Sequence, residues 1–313
     1  MTVRTAVIGA GYLGRFHAQK YAALPGVELV GVVDIDPARA AAVAEEVGSR
    51  AYTDPEAVLD RVDAVSVVTP TVTHAEVAAT CLDRGVHVLL EKPMTTTLAE
   101  ADRLIELAER RGLVLQIGHL ERFNPAVQAV AGALDRPLFI ESTRLAPFKP
   151  RATDVDVVLD LMIHDIDLIL ALVGGEIEHI EAAGARVLSE HIDIANARLH
   201  FRGGCVANVT ASRVSLKSER RMRIFQPGAC LVVDGLNHTL AVHRKEGGDG
   251  SGAPRIASEE RRFEASDPLY AELAAFVAAV REGRPPAVGG ADGRRALDAA
   301  LRIRAALGTG PAA

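Results

Sequence analysis

The sequence predicts a two-domain α/β protein, and three observations support that prediction. The chain has 313 residues, which is enough for two domains of roughly 100–200 residues each. Its first part alternates short apolar runs with helical patterns, as expected for a parallel sheet covered by helices on both faces. Beyond His119 this alternation gives way to several strands in which polar and apolar residues alternate. We therefore place the two domains at residues 1–119 and 120–313, with the last helix able to pack back on the first domain.

The composition indicates a folded cytoplasmic protein. Hydrophobic residues make up 49% of the chain and charged residues 24%, so a large core is available. The net charge of -6 lacks the basic footprint of a nucleic-acid-binding protein. Three widely spaced cysteines predict no disulfide framework and fit a reducing compartment. The N-terminus does not have the pattern of a signal peptide, and aspartates interrupt the most apolar stretch, 155–173, so we expect no membrane partner.

Strands and helices of the first part follow one another in regular order. The apolar runs predict strands at 5–8, 28–33, 64–68, 87–90 and 114–117, and the helical patterns between them predict helices at 13–24, 37–47, 55–59, 75–84 and 98–110. Thr97 and Glu100 have the spacing of a capping box at the start of the last of these helices. The pairs Asp36–Pro37 and Asp54–Pro55 place proline at the first position of two others.

The second part is predicted to begin with one helix over RFNPAVQAVAGAL, capped by Asn124. A strand, LFIESTRLAPF, comes next, and then the helix that contains DLMIHDIDL and ends at Gly174. The segment ARLHFRGGCVANVTAS predicts a hairpin that turns at 202–204, and RMRIF, CLVVD and LAVHR continue the sheet. KEGGDGSGAPR has the composition of a flexible loop, and two helices, at 268–281 and 294–307, complete the chain.

A glycine loop follows the first strand. GAGYLG, from Gly9 to Gly14, fits G-x-G-x-x-G. In this pattern the first glycine allows a tight turn, the second lets backbone approach a pyrophosphate, and the third lets helix and strand pack closely. Alone the pattern is weak, because a glycine-rich turn would also produce it. Asp34 strengthens it, since it ends the second strand at about the spacing of a carboxylate that binds the ribose 2′-hydroxyl. The carboxylate would repel a 2′-phosphate, which predicts NAD, with NADP possible because Arg39 lies nearby.

Candidate catalytic residues lie in two short stretches. Lys92 follows the fifth strand in LLEKP, at the edge where open α/β sheets bind ligands, although a surface lysine is the simpler alternative. Asp160 and His164 are four residues apart in DLMIHDIDL and share one face of a helix. The carboxylate would orient the imidazole and raise its proton affinity. His164 could then take a proton from an alcohol while hydride leaves the same carbon and Lys92 binds the oxygen.

This helix has two other interpretations. A single histidine in an apolar helix is commonly a core residue, and Asp165 and Asp167 are expected to be structural, one facing solvent and one paired with an arginine. A metal site would need ligands in a compact arrangement. The ligand-type residues His164, Asp165, Asp167, His191 and Asp193 form no such signature, so no metal is expected.

The motifs together resemble a known family. The glycine loop, TPTVTH at 69–74, EKP at 91–93 and DLMIHDIDL occur in an order similar to that of the glucose–fructose oxidoreductase / inositol dehydrogenase / rhizopine catabolism family. The resemblance covers most of the chain. It implies an N-terminal Rossmann domain with a doubly wound parallel sheet, and a C-terminal α/β domain on an open, mostly antiparallel sheet. That open sheet often pairs subunits, so we expect a homodimer or homotetramer.

The resemblance also implies site residues. The catalytic residues would be Lys92, Asp160 and His164, and the Lys92–Pro93 bond would be cis. The cofactor-binding residues would be Gly9, Gly11, Tyr12, Leu13, Gly14, Asp34, Arg39, Thr69, Pro70, His74, Glu91 and Lys92.

Two further segments resemble one particular group of members within this family. GHLERFNPAV at 118–127 and SRVSLKSERRMRIFQPGACLVVD at 212–234 are similar to bacterial members that oxidise the 3-hydroxyl of UDP-N-acetylglucosamine, on routes to amino sugars for lipid A or other glycans. Arginine forks suit the diphosphate of such a substrate. The substrate-binding candidates are His119, Arg122, Asn124, Arg144, Arg151 and Arg213, with Lys149 as a further phosphate contact. The cations at 220–223 are expected to form a solvated strand edge.

Two alternatives stay open. The chain could oxidise a cyclitol or a free sugar, as other members of the family do, or it could be an NAD(P)-binding regulator that performs no turnover. A regulator would have no need of the Lys92, Asp160 and His164 set. A site that stacks sugar on tryptophan is excluded, because the chain has no tryptophan.

Overall fold

The computed structural model describes residues 2–149, 155–247, 255–264 and 266–308. They divide into two compact units, Met1–Leu120 with Asp267–Leu297, and Glu121–Ser266 with Asp298–Ala313. The sequence assigned residues 120–313 to the second domain, with the last helix able to pack back on the first, and the structure groups Asp267–Leu297 with the first unit. The reason is packing: Leu273 and Phe276 lie in the same apolar cluster as Ala18 and Tyr21.

The first unit contains a parallel sheet with helices between its strands. The strands are β1 (Val3–Ile8), β2 (Val27–Val33), β3 (Arg50–Tyr52), β4 (Ala64–Val67), β5 (His87–Glu91) and β6 (Leu115–Gly118). The intervening helices are α1 (Tyr12–Ala23), α2 (Pro37–Glu46), α3 (Glu56–Leu59), α4 (Thr71–Asp83) and α5 (Leu98–Arg111). Among the described residues the strand order is β3-β2-β1-β4-β5-β6. Strand order therefore reverses between β1 and β4, and ligands bind at the carboxyl ends of strands beside such a point.

Local signals in this unit predicted most of these elements. The capping box is confirmed, because Thr97 Oγ1 accepts from the backbone N–H of Glu100 at 3.3 Å and Glu100 Oε2 accepts from that of Thr97 at 3.0 Å. The Lys92–Pro93 bond is cis. The short strand β3 was not predicted, and α4 begins at Thr71, before the predicted start at residue 75.

The second unit contains an open sheet. Its strands are β7 (Phe139–Leu145), β8 (Ile177–Ala185), β9 (Ile194–Phe201), β10 (Val206–Ser212), β11 (Glu219–Gln226), β12 (Ala229–Asp234), β13 (Thr239–Glu246) and β14 (Arg255–Arg262). In the part of the chain that the structure describes, their order is β14-β13-β12-β11-β7-β10-β9-β8. The β7–β10 pair is parallel, and the neighbours on either side of it are antiparallel.

Some predictions for this unit hold and others are wrong. The β9–β10 hairpin is confirmed, with Ala207, Val209 and Ala211 buried on one face. Strand β11 lies between β12 and β7, so the expectation that residues 220–223 form a strand edge is wrong. The helix predicted from residue 122 is short, because α6 (Pro125–Gln128) tightens into a 3₁₀ turn that ends at Gly132. Asn124 caps it as predicted, accepting from the N–H of Ala126 at 3.0 Å.

The described chain also contains a π-helical turn and three more α-helices. A π-helical turn over Val158–Met162 continues into α7 (Ile163–Val173), which ends at Gly174 as predicted. The last two helices are α8 (Pro268–Glu282) and α9 (Gly290–Gly308). Most of the predicted loop KEGGDGSGAPR lies outside the described residues. None of the described helices is both long and apolar enough to cross a membrane.

Candidate active site

A cavity of about 430 Å³ lies at the carboxyl ends of β1, β2 and β4. It brings together six of the predicted cofactor-binding residues: Gly9, Gly11, Asp34, Arg39, Thr69 and Pro70. Tyr12 and Leu13 are not among the described residues that line it. Tyr12 is 69% exposed and packs edge-on against Phe16, and Leu13 packs against the apolar cluster of the first unit.

Glycines shape one side of this cavity. A Cβ on Gly9, which has a φ of +99°, would lie 2.5 Å from the carbonyl oxygen of Val68. A Cβ on Gly14 would lie 1.8 Å from the carbonyl oxygen of Gly9, so these two glycines permit close packing of backbone. A Cβ on Gly11 would meet nothing within 4 Å. The open space at the second glycine of the motif is where backbone must approach a pyrophosphate, so the residues fit a dinucleotide.

The backbone around Asp34 holds its carboxylate in place. Only 7% of the residue is exposed. Its Oδ2 accepts from the N–H of Ala10 at 2.8 Å, and its Oδ1 accepts from that of Asp36 at 2.9 Å. Arg39 Nη1 lies 3.4 Å from Oδ1. The carboxylate is therefore fixed between the glycine loop and the start of α2, in the position that suits a ribose 2′-hydroxyl and repels a 2′-phosphate.

Glu91 supports Lys92, which is half-buried at the end of β5. The buried Glu91 carboxylate accepts from the backbone N–H of Lys92 at 3.1 Å, and His17 Nε2 lies 3.2 Å from its other oxygen. Burial acts to raise the pKa of Glu91, but the hydrogen bond to His17 and the charges of His17 and Lys92 outweigh it and lower that pKa. A Cβ on Gly118 would lie 2.9 Å from the Glu91 carboxyl carbon, so a glycine makes room for this carboxylate.

His74 lies between the loop that carries Thr69 and the loop that carries Lys92. Its Nδ1 is 2.9 Å from the carbonyl oxygen of Pro93 and its Nε2 is 2.8 Å from that of Thr69. A neutral imidazole can donate to only one of these acceptors. Burial lowers the pKa of His74, although both carbonyls and the Glu91 charge oppose that shift. His74 and Glu91 were predicted to bind the cofactor, and neither is among the described residues that line the 430 Å³ cavity.

The second unit carries Asp160 in the π-helical turn and His164 in the first turn of α7. Both are half-buried, whereas Ile163, Asp165 and most of the following turns are buried. Single π turns occur frequently at functional sites. Asp156 caps this turn, because its Oδ1 accepts from the N–H groups of two residues in it at 3.1 Å. His164 therefore sits at the accessible start of an otherwise buried helix.

Arginines pair with both buried aspartates of α7. Asp165 accepts from Arg144 Nε at 2.6 Å and from Ser142 Oγ at 2.9 Å. Asp167 accepts from two nitrogens of Arg122, at 2.7 and 2.6 Å. The expectation that one of these aspartates faces solvent is wrong, because an ionised carboxylate inside an apolar helix must be paired. The two ion pairs fix the rotation of α7 and hence the side on which His164 lies.

A second cavity, of about 190 Å³, lies beside Asp160. Arg144 and Arg213 line it, as does Lys149. The other described residues that were predicted to bind substrate are not among those that line it. Arg122 pairs with Asp167, Asn124 donates to the carbonyl oxygen of Gly235, His119 is buried immediately after β6 in the first unit, and Arg151 is outside the described residues.

Comparison with known proteins identifies the family. Residues 3–119 match the model of an oxidoreductase family with an NAD-binding Rossmann fold, and residues 127–228 match the GFO/IDH/MocA C-terminal domain. UDP-N-acetylglucosamine 3-dehydrogenase of Acidithiobacillus ferrooxidans is 46% identical over 306 residues, which are 97% of each chain. This chain belongs to the Gfo/Idh/MocA family.

Other relatives agree with this assignment. A solved structure of the Acidithiobacillus ferrooxidans enzyme has a TM-score of 0.93 and covers 98% of both chains. Myo-inositol 2-dehydrogenase of Thermotoga maritima is 30% identical, covering 94% of this chain and 93% of its own. The predicted fold class, the NAD cofactor and the class of enzyme, an oxidoreductase acting on CH–OH groups, are confirmed.

In this Gfo/Idh/MocA chain, Arg220 lines the second cavity although the sequence did not assign it to the site. The sequence also did not assign Glu121, the buried carboxylate that pairs with Arg220. Glu121 Oε1 accepts from Arg144 and from Arg220, each at 3.0 Å. Glu121 belongs to the segment GHLERFNPAV, which the sequence singled out, but its two partners are far away in the chain. The sequence pattern contains no signal for that pairing.

Proposed function

We propose that this chain oxidises the 3-hydroxyl of UDP-N-acetylglucosamine, or of a close UDP-N-acetylhexosamine, to a ketone with NAD. The observation that carries the proposal is the 46% identity to UDP-N-acetylglucosamine 3-dehydrogenase across 97% of both chains. The cation-lined cavity beside Asp160 supports it, because a nucleotide sugar brings a diphosphate. The product would enter amino-sugar synthesis for lipid A or another glycan.

The proposal assigns a role to each catalytic candidate. His164 takes the hydroxyl proton, oriented by Asp160, which raises its proton affinity. Lys92 donates a hydrogen bond to the same oxygen and stabilises negative charge on it. NAD, when bound, accepts the hydride. Glu91 holds the backbone of Lys92, and the ion pairs of Asp165 and Asp167 hold the helix that carries His164.

Location and assembly belong to the same proposal. Cys81, Cys205 and Cys230 are free thiols, which fits a reducing, cytoplasmic compartment. We assign assembly into a homodimer or homotetramer to the open sheet of the second unit, as the family resemblance implies.

The test is an assay of the purified enzyme with NAD, following NADH absorbance, on UDP-N-acetylglucosamine, N-acetylglucosamine and myo-inositol in parallel. An aminotransferase that consumes the 3-keto sugar pulls the equilibrium forward. We expect the highest kcat/KM with UDP-N-acetylglucosamine. Lys92→Ala and His164→Ala should each lower kcat by at least ~100-fold while NADH binding persists. Lys245→Ala and His179→Ala, at exposed positions of the sheet in the second unit, serve as controls.

Two outcomes would contradict the proposal. Preferred turnover of myo-inositol would favour the cyclitol alternative, which the 30% identity to a myo-inositol 2-dehydrogenase supports. NADH binding without oxidation of any of the three substrates would favour a regulator.

A further inference from the structure

Resting on the proposed UDP-sugar function, we propose that Arg220 binds the substrate diphosphate and that Glu121 positions Arg220 for it. Arg144 and Arg213, two of the three arginines that the sequence assigned to the diphosphate, serve instead as structural cations. The distinction follows from how each guanidinium around the 190 Å³ cavity is already engaged.

Arg144 is committed to buried carboxylates. Its side chain is 5% exposed. Its Nε and Nη2 donate to Asp165, at 2.6 and 3.3 Å, and its Nη1 donates to Glu121 at 3.0 Å. Turning Arg144 toward a ligand would leave the Asp165 carboxylate buried beside His164 without its partner, which is strongly unfavourable.

Arg213 is committed in the same way. Its side chain is also 5% exposed. Its three nitrogens donate to Asp193 Oδ1 at 2.8 Å, to the carbonyl oxygen of Val155 at 2.8 Å and to Ser189 Oγ at 3.0 Å. This guanidinium braces the chain just before the π-helical turn. It lines the cavity with a charge that Asp193 already compensates.

Arg220 differs from both because 43% of its side chain is exposed. In the register of the sheet it lies opposite Arg144. It shares a face of β11 with the buried Met222 and Ile224, whereas Arg221 and Arg223 point to the other side. Its described bond is the single one from Nη1 to Glu121 at 3.0 Å. An arginine fork held at one nitrogen and half-exposed can bind phosphate oxygens with less desolvation than a buried one.

Glu121 anchors the Arg220 guanidinium at one nitrogen. One of its oxygens, Oε1, accepts from both Arg144 and Arg220. Burial acts to raise the pKa of Glu121, but the charges of Arg144 and Arg220 lower it by more than burial raises it. The carboxylate therefore stays ionised. A diphosphate would bind the exposed part of the Arg220 guanidinium, and the exposed Lys149 at the same cavity would add a second cation.

The experiment compares Arg220→Gln with the matched control Arg223→Gln. Arg223 lies on the opposite face of the same strand and pairs with Glu141. Calorimetry with UDP gives the dissociation constant, and steady-state assays with UDP-N-acetylglucosamine give kcat and KM. We expect Arg220→Gln to raise both the UDP Kd and the KM by at least ~10-fold, which equals ~1.4 kcal/mol, with kcat nearly unchanged. Arg223→Gln should match wild type, and Arg220→Lys should fall between the two.

The outcomes separate this inference from the proposed function. Unchanged UDP affinity in Arg220→Gln, in an enzyme that oxidises UDP-N-acetylglucosamine, overturns the inference and leaves the function standing. A fall in kcat with unchanged KM also overturns it, because Arg220 would then act on the chemistry rather than on binding. If the wild type oxidises only myo-inositol, the proposed function is wrong. If the same wild type also does not bind UDP, the inference about Arg220 is wrong as well.

Discussion

His74 Nδ1 lies 2.9 Å from the carbonyl oxygen of Pro93, the residue that follows Lys92 across a cis peptide bond. The other ring nitrogen lies 2.8 Å from the carbonyl oxygen of Thr69, which lines the dinucleotide cavity. One buried imidazole therefore joins the loop after β4 to the loop after β5. It positions both the cofactor loop and the lysine that we assign to catalysis.

Replacing His74 with alanine should impair both loops. We expect kcat to fall and the KM for NAD to rise, each by up to ~10-fold, because the variant loses a hydrogen bond worth ~1 kcal/mol or more and the buried ring that fills the space between the two loops. Steady-state kinetics with varied NAD measures the two effects separately.

His87→Ala is the matched control for this change. His87 is half-buried at the start of β5 and accepts from the N–H of Val114, away from both loops. The His87→Ala substitution should lower the melting temperature and leave kcat and KM at their wild-type values. Wild-type kinetics in folded His74→Ala would show that the imidazole has no positioning role.

Gly11→Ala should separate cofactor binding from folding. A Cβ on Gly11 meets no protein atom within 4 Å, so the melting temperature should stay at its wild-type value. The same methyl group enters the space through which backbone approaches the pyrophosphate. We therefore expect the Kd for NADH, measured by fluorescence, to rise by at least ~10-fold, or ~1.4 kcal/mol.

Gly132→Ala controls for the substitution itself. Its Cβ also meets nothing within 4 Å, and Gly132 lies in the second unit, so NADH binding should be unchanged. Tight NADH binding by Gly11→Ala would mean that the pyrophosphate does not approach this glycine.

Local signals explain which parts of the fold the sequence could predict. The strand–helix alternation, the Thr97–Glu100 capping box and the glycine loop each depend on residues close together in the chain. Strand β3 was missed because its three residues, Arg50–Tyr52, carry no apolar pattern and are mostly exposed. That strand exists through its pairing with β2, which no local pattern records.

Contacts between residues far apart in the chain also form the candidate site, and local sequence patterns do not record them. The sequence identified Arg144, Lys149 and Arg213, which line the second cavity, but not Arg220 and not the carboxylate that each arginine meets. Arg220 and Glu121 are 99 residues apart in the chain, and Arg213 and Asp193 are 20 apart. The tertiary fold brings such pairs together, so which arginine is compensated and which is half-exposed could be learned only from the structure.

Asp193 gives a prediction for stability and its dependence on pH. Its buried carboxylate accepts from Arg213, from the hydroxyl of Ser189 and from the backbone N–H groups of Val187, Leu188 and Ser189. Burial acts to raise the pKa of Asp193, but these bonds lower it well below its ordinary value of 3.8. Asp193→Asn should therefore cost about 3 kcal/mol of unfolding free energy at neutral pH, because it leaves the Arg213 charge buried without its partner.

The sign of the pH effect follows from the lowered pKa. A carboxylate whose folded-state pKa lies below its unfolded value contributes stability that is complete above the unfolded value and is lost as pH falls toward the folded value. Urea unfolding should thus show a constant difference between wild type and Asp193→Asn down to ~pH 5, narrowing only below ~pH 4. Asp234→Asn, a partly exposed carboxylate bonded to its own turn, should cost ~1 kcal/mol or less. A difference for Asp193→Asn that narrows already between neutral pH and ~pH 5 would mean that Asp193 is not held as the ionised partner of Arg213.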